Sequence, residues 1–319
     1  MNRKLVIFIL FSMACIACRE TAVRGKHDGM TLASLNGPSS MALIKLIDSL
    51  DSDSHAGLKA DILDEPLQVR KMMLDGSADF AILPTTMAAI LYNKGLGYRL
   101  IAIPVWGSLY LFGQDTTIGR WEDLRGKRVN VMARGMTPDV LFRYLLEKNG
   151  IRPEADIVLD YSYPSHVELA NAVAAGKAEL AVLSEPLVSM VAAKNTDIHP
   201  IFDLNNEWER TTGIPMAQTA LLAKDQIIDH NPELVERIID ACRTSVDWVS
   251  TNPDSAARLI VAYGILPDEQ TAVAFIPRSH MEFKKARDIS TGIEAYLRIF
   301  FNMEPDIIGG KIPDEAFIY

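Results

Sequence analysis

The sequence predicts an α/β protein of two lobes joined by two crossings of the chain. Three observations carry that expectation. The first is a duplicated segment, Gly76-Ser77-Ala78-Asp79-Phe80-Ala81-Ile82-Leu83-Pro84-Thr85-Thr86 and Gly176-Lys177-Ala178-Glu179-Leu180-Ala181-Val182-Leu183-Ser184-Glu185-Pro186. Each copy reads Gly-x-Ala-acid-apolar-Ala-apolar-Leu. The apolar run is too short for a helix and is bounded by turn residues, which fits a strand buried on both faces of a sheet. The second is the alternation of strand and helix through each half, the pattern of α/β sheets. The third is a pair of segments, near Tyr110–Asp115 and Pro215–Ala220, placed to carry the chain from one half to the other and back.

In chain order, Met30 to Ser34 reads as a strand that runs into Leu35-Asn36-Gly37-Pro38-Ser39-Ser40. Pro and Ser there are helix-start signals for an amphipathic helix from Met41 to Leu50. Lys59 to Leu63 is a strand, Pro66 to Leu74 a helix ended by Gly76, and Phe80 to Leu83 the first repeated strand. Thr86 to Tyr92 is a helix stopped by Asn93-Lys94-Gly95. Tyr98 to Trp106 and Leu109 to Gly113 are apolar strands leading out of the first lobe. A turn and strand at Trp121 to Val131 open the second lobe. Arg134-Gly135-Met136-Thr137-Pro138 then precedes a helix from Asp139 to Asn149, mirroring Gly37-Pro38 and its helix. Ile157 to Tyr161 is a strand, His166 to Ala175 a helix, and Leu187 to Lys194 a helix after the second repeated strand. Pro215 to Ala223 is the returning strand. The last third is helical, near Glu233–Thr251, Ser255–Tyr263, Asp268–Phe275 and Lys284–Asn302, and ends in an irregular stretch from Pro305 to Tyr319.

The chain has 319 residues, 49% of them hydrophobic and 23% charged, which describes a globular protein of about two domains. A formal net charge of −9 argues against nucleic acid and anionic membrane as general partners. No pair of its 6 His residues is spaced for a shared metal on one helix face. No Gly-x-Ser-x-Gly elbow or phosphate-binding Gly-rich loop is present. Asn2-Arg3-Lys4 followed by the apolar run from Leu5 to Met13 is a secretory signal, too short for a membrane span. It ends in Ala14-Cys15-Ile16-Ala17-Cys18, which resembles a bacterial lipobox with Cys15 where Leu is usual. The expected division is a signal peptide over 1–18 with Cys18 as the acylated residue, and a tether over 19–29. A first lobe of 30–112 and 218–319 and a second lobe of 113–217 follow. With Cys18 acylated, Cys242 has no disulfide partner in the mature chain, so stability comes from the core.

Taken together, the Leu35 to Ser40 turn, Gly76 to Leu83 with Pro84, Leu91-Tyr92-Asn93-Lys94, Asp123-Leu124-Arg125-Gly126-Lys127-Arg128-Val129 and Leu183-Ser184-Glu185-Pro186 are the carriers of a family likeness. Over about Thr31 to Phe301 the chain resembles the NMT1/THI5-like substrate-binding proteins of ABC importers, the nitrate, sulfonate, taurine and thiamine-precursor group. The resemblance implies the type II periplasmic-binding-protein fold, with a ligand held between lobes that close on a hinge. It implies a role as a non-enzymatic, monomeric solute-binding lipoprotein without a cofactor, anchored to the membrane only through its lipid. It implies further that the protein faces the periplasm or exterior and delivers its ligand to an ABC permease with its ATPase. Two other classes stay open: an enzyme on the same fold, of the pyrimidine-precursor synthase or menaquinone-pathway type, and a ligand-sensing surface lipoprotein.

The expected ligand contacts follow from the strand ends, because ligands of α/β sheets bind at the carboxyl edge. Gly37, Pro38, Ser39 and Ser40 in the first lobe, and Gly135 and Thr137 in the second, place backbone N–H groups and hydroxyls at helix starts. Ordinary helix capping accounts for each turn taken alone. Thr85, Thr86, Ser184 and Glu185 follow the repeated strands. Trp106 and Tyr110 stand at the handover between lobes, where aromatic rings stack on flat ligands or pack a core. Tyr161 and Tyr163 pose the same alternative. Gln218 lies near the return crossing, and Arg134 is the one cation beside a site turn. These donors suit a small acceptor-rich molecule or flat heterocycle rather than a peptide or polycation.

Overall fold

The computed structural model describes residues 29–53, 57–132 and 134–319. The expected signal segment and Cys18 lie outside the described residues, as does the tether apart from Gly29. The strands are β1 (Met30–Leu35), β2 (Leu58–Leu63), β3 (Phe80–Pro84), β4 (Tyr98–Val105), β5 (Leu109–Gly113), β6 (Arg128–Val131), β7 (Val158–Asp160), β8 (Leu180–Ser184), β9 (His199–Asp203), β10 (Thr219–Lys224) and β11 (Met281–Lys285). They form two sheets, in the orders β11-β4-β10-β3-β1-β2 and β7-β6-β8-β5-β9.

The duplication read from the sequence is a duplication of topology. β3 lies between parallel β1 and antiparallel β10, and β8 lies between parallel β6 and antiparallel β5. Strands β2-β1-β3-β10-β4 therefore correspond one to one with β7-β6-β8-β5-β9. Ala81, Ile82, Leu83, Ala181, Val182 and Leu183 have no exposed surface, so both repeated strands are covered on two faces. The preceding helices correspond as well: Pro66–Leu74 and His166–Ala174 each end two residues before the Gly of the repeat. Gly76 and Gly176 have φ of 75° and 68°, the left-handed geometry that ends a helix and favours glycine.

Several expectations are corrected. β5 belongs to the second sheet, so by sheet membership the chain crosses at residues 106–108 and returns at 213–218, not at the 112/113 boundary. The sequence offered little to mark this, since Tyr98 to Phe112 is almost continuously apolar. Gly107 is required at the crossing, because a Cβ there would sit 2.3 Å from Asn205 Oδ1. The first helix is two, Pro38–Ala42 and Ile44–Ser52, separated at Leu43. β9 and the helix Leu204–Thr212 lie outside the elements expected from the sequence, although Asp203 caps that helix and Gly213 closes it at φ 72°. The helix expected over Lys284–Asn302 is the edge strand β11, a short turn, and then helix Ser290–Met303. The tail from Pro305 is tied down by short 3-10 turns, and Ile318 bridges Leu100. No described helix is long and apolar enough to cross a membrane.

Between the lobes runs an aromatic core. Trp208, on the helix after β9, has no exposed surface and stacks on Phe300 with ring centroids 5.8 Å apart. Tyr296 meets it edge-on at 5.5 Å, and Tyr144 of the second lobe lies at 5.4 Å. Both Tyr296 and Phe300 belong to helix Ser290–Met303. Cys242 is fully buried, and desolvation pushes its thiol up to about 12, which leaves it inert.

Trp208→Ala is expected to lower unfolding free energy by about 3–5 kcal/mol through the cavity left between the lobes. Urea denaturation checks this, and a loss of roughly 1 kcal/mol or less contradicts a core shared by both lobes.

Candidate ligand-binding cleft

The ends of the two repeated strands are tied together through the crossings. After β3, the Thr85 N–H donates to the Gln218 carbonyl at 3.0 Å, and after β8 the Glu185 N–H donates to the Ser108 carbonyl at 2.8 Å. Ser108 and Gln218 bond through their side chains, with oxygen and nitrogen of the amide at 3.2 and 3.1 Å from the Ser108 hydroxyl. Gln218 thus spends its amide on the hinge, and Ser108, which no motif marked, is its partner. The carboxyl edges of both sheets consequently face one another across this strip, which defines a cleft.

The site turns meet over it. Thr86 of the first lobe and Thr137 of the second share a hydrogen bond of 2.8 Å between their hydroxyls. Gly37, at φ 120°, lies against Pro186 of the other lobe, and a Cβ there would stand 3.5 Å from the proline ring. The Ser40 hydroxyl is committed inside the first lobe, contacting the Leu35 carbonyl at 2.6 Å and the Ser34 hydroxyl at 2.9 Å. Ser39 is buried beside it after Pro38, and Ser184 is half-buried. Thr85 has no exposed surface, and its Oγ1 has no hydrogen-bond partner among the described residues. An unpaired buried hydroxyl costs about 1–3 kcal/mol, so it marks a place where an outside partner is favoured.

On the second lobe, buried Asp139 accepts from the Gly135 N–H and from the Tyr161 hydroxyl, each at 2.7 Å. Burial and the Asp139 contact raise the Tyr161 pKa, keeping it a neutral donor. The Arg134 guanidinium lies over the Tyr161 ring at 5.4 Å. Arg134, Gly135, Arg143, Glu154, Tyr161 and Glu304 line a polar cavity of about 390 Å³. Arg143 reaches Glu304 at 3.1 Å, joining the second lobe to the chain after helix Ser290–Met303.

Trp106 and Tyr110 are not free ring faces. They are 7% and 4% exposed, the indole N–H donates to the Glu282 carbonyl, and the phenol donates to the Arg278 carbonyl, both at 2.7 Å. Tyr163 packs half-buried against the core that contains Tyr110 and Leu183.

Glu185 is the electrostatic anomaly of the cleft. Only 2% exposed, its carboxyl accepts from the Ser189 N–H at 3.0 Å and the Ser189 hydroxyl at 2.9 Å. Arg278, from the first lobe, stands 4.0 Å away and donates weakly to Ser189 Oγ at 3.4 Å. Burial outweighs these contacts and lifts the Glu185 pKa to about 7. Arg278 lies 93 positions from Glu185, within a short 3-10 turn, and no sequence pattern pointed to it.

Two α/β lobes whose carboxyl edges face each other across two crossings define the type II periplasmic-binding-protein class. The NMT1/THI5-like family model matches residues 54–256, and the chain belongs to that family. It is 22% identical over 253 residues to a putative binding protein, YtlA, of Bacillus subtilis, covering 77% of this chain and 72% of the relative. A second relative, 1,4-dihydroxy-6-naphtoate synthase of Streptomyces coelicolor, is 26% identical over 141 residues, 44% of this chain and 47% of that protein. The structure superposes on that of an ABC transporter protein from Parabacteroides distasonis with a TM-score of 0.78 and 26% identity, covering 92% of this chain and 99% of the other. Against the periplasmic aliphatic sulphonate binding protein SsuA of Escherichia coli the TM-score is 0.70 at 14% identity, over 92% and 96% of the two chains.

A carboxyl whose pKa is raised on folding favours the protonated form in the fold. Its cost is absent below the unfolded value of 4.5, grows as pH rises toward about 7, and is constant above that. Glu185→Gln keeps a neutral hydrogen-bonding group, so it should raise stability at pH 8, by at most roughly 3 kcal/mol, and change it little at pH 4.5. Thermal unfolding at both pH values decides this, and an equal effect at both rules out a buried carboxyl that titrates near neutrality.

Proposed function

We propose that the chain is the extracytoplasmic solute-binding lipoprotein of an ABC importer, anchored through Cys18, which holds a small ligand between its lobes and passes it to a permease. The observation that carries this reading is the contact between Thr86, just after β3 of the first lobe, and Thr137, at the start of the helix after β6 of the second, with the unpartnered Thr85 hydroxyl buried beside it. A ligand bound there contacts both lobes at once, which is what couples binding to closure. The membership of the NMT1/THI5-like family and the likeness to an ABC transporter protein support the same reading.

The donors in reach are the Thr85, Thr86, Thr137 and Ser184 hydroxyls and the N–H groups of the helix starts. They favour an acceptor-rich small molecule, such as a sulfonate, a carboxylate or a ring with acceptor nitrogens. With Trp106 and Tyr110 packed inside, no aromatic lid among the described residues selects for a flat ring, and Tyr161 is the aromatic residue that lines the cavity. The partial likeness to a synthase keeps an enzymatic reading in view. It is separated from the importer reading by incubating the mature domain with its ligand and recovering that ligand chemically unchanged.

Thr85→Val removes the unpartnered hydroxyl and retains the backbone bond to Gln218. Ligand affinity should fall by roughly five- to tenfold, about 1–1.5 kcal/mol, while stability holds or rises. Calorimetric titration and thermal unfolding of the same sample give both numbers, and an unchanged affinity removes Thr85 from the site. For the anchor, labelled fatty acid should enter the wild-type chain and not the Cys18→Ala variant. Equal labelling of the two would reject acylation at this residue.

A further inference from the structure

The polar cavity of the second lobe is distinct from the row of strand ends. Thr85, Thr86, Thr137, Ser184 and Glu185 do not line it, and Gly135 is the residue it shares with the site turns. Its other residues come from elsewhere. Arg143 lies midway along helix Thr137–Lys148, Glu154 follows that helix, and Glu304 follows helix Ser290–Met303. The cavity therefore runs along the flank of helix Thr137–Lys148, beside the cleft. Its volume of about 390 Å³ falls within the range of small-molecule sites, roughly 300–1,000 Å³.

Most of the polar groups around it are already spent. Arg143 is shared between Asp139 at 3.3 Å and Glu304 at 3.1 Å. Glu304 also stands over the turn, where a Cβ on Gly135 would lie 3.5 Å from its Oε1. The Gly135 N–H and the Tyr161 hydroxyl both donate to Asp139. The neighbouring charges in the chain are paired as well, Arg152 with Asp156 at 2.7 Å and Arg128 with Asp160 at 2.9 Å.

Two charged groups of the lining are left over. Neither Arg134 nor Glu154 has a hydrogen bond or ion pair among the described residues, and both are exposed. The Arg134 guanidinium lies 5.4 Å from the centre of the Tyr161 ring, a contact that gives its N–H groups no oxygen acceptor. One exposed charge is ordinary. Two unfilled charges of opposite sign on one cavity, which do not pair with each other, define a complementary occupant.

We infer that this cavity is a second binding site, for a small zwitterion that carries one carboxylate and one ammonium group. The carboxylate meets Arg134, whose planar fork of donors matches two carboxylate oxygens. The ammonium meets the Glu154 carboxylate. Glu154 and Glu304 disfavour a dianion, and Arg134 and Arg143 disfavour a polycation. An apolar ligand finds only the Tyr161 ring, which Arg134 already covers. Glu304 comes from beyond helix Ser290–Met303 and the other lining residues from the second lobe, so an occupant bridges the same two parts as the Arg143–Glu304 pair. The inference rests on the cavity and not on the importer reading.

The test titrates the full chain, in detergent, by calorimetry. Glycine, β-alanine and γ-aminobutyrate vary the spacing of the two charges, and propionate and propylamine carry one charge each. At least one zwitterion should bind, about tenfold or more tighter than either single-charge probe, the worth of one charge-assisted contact. Arg134→Gln and Glu154→Gln should each weaken it by about tenfold. Arg152→Gln, which removes an exposed cation outside the lining, should match wild type within about twofold. All three are surface substitutions that the fold tolerates. Failure of all three zwitterions to bind overturns the site. Propionate binding as tightly as the best zwitterion overturns the ligand class, because Glu154 then takes no part. An equal loss in Arg152→Gln overturns the inference too, since the effect then follows net charge and not position.

Discussion

The structure depends on the strip of hydrogen bonds that joins Thr85, Gln218, Ser108 and Glu185. Each repeated strand ends by donating a backbone N–H to a crossing of the chain, and the two crossings hold each other through one hydroxyl and one amide. A buried backbone group that lost this partner would cost a large fraction of a domain's net stability. The strip therefore fixes where the lobes meet. Gly107 and Asn205 pack too tightly beside it for any side chain at position 107.

Around that strip, the lobes make two kinds of contact. At one side is the apolar seam of Trp208, Tyr296 and Phe300, whose burial favours a fixed relation between the helices that carry them. At the cleft the described contacts include polar ones: Thr86 with Thr137, Arg143 with Glu304, His280 with Asp203, and Arg278 near Glu185 and Ser189. Polar contacts of this kind exchange for water at small net cost. The contacts between lobes thus divide into an apolar seam and weaker polar pairs, an arrangement suited to the proposed closure on a ligand.

Much of the fold was legible because the duplicated strands are short, fully buried and closed by glycines, and such strands carry a strong local signal. The helices Pro66–Leu74 and Leu187–Lys194 were likewise fixed by their own start and stop residues. Edge strands were harder. β9 contains Pro200 and is half-buried throughout, and β11 alternates Glu282, Phe283 and Lys284 ahead of a helix, so neither stands out from its flanks. The site was legible as a set of turns and not as a set of contacts. Thr85, Thr86, Thr137 and Glu185 are brought to one seam, whereas Trp106 and Tyr110 are drawn inward by carbonyls about 170 positions away. Ser108 and Arg278 lack any local pattern, since their roles come from partners 110 and 93 positions distant.

The central claim is that the two lobes close over a small ligand about the Ser108–Gln218 strip. Small-angle X-ray scattering of the mature domain, free and saturated with a ligand whose binding is confirmed by calorimetry on the same sample, tests it directly. A smaller radius of gyration and a narrower distance distribution in the saturated sample are the predicted result. Superimposable profiles, with binding confirmed, would contradict it.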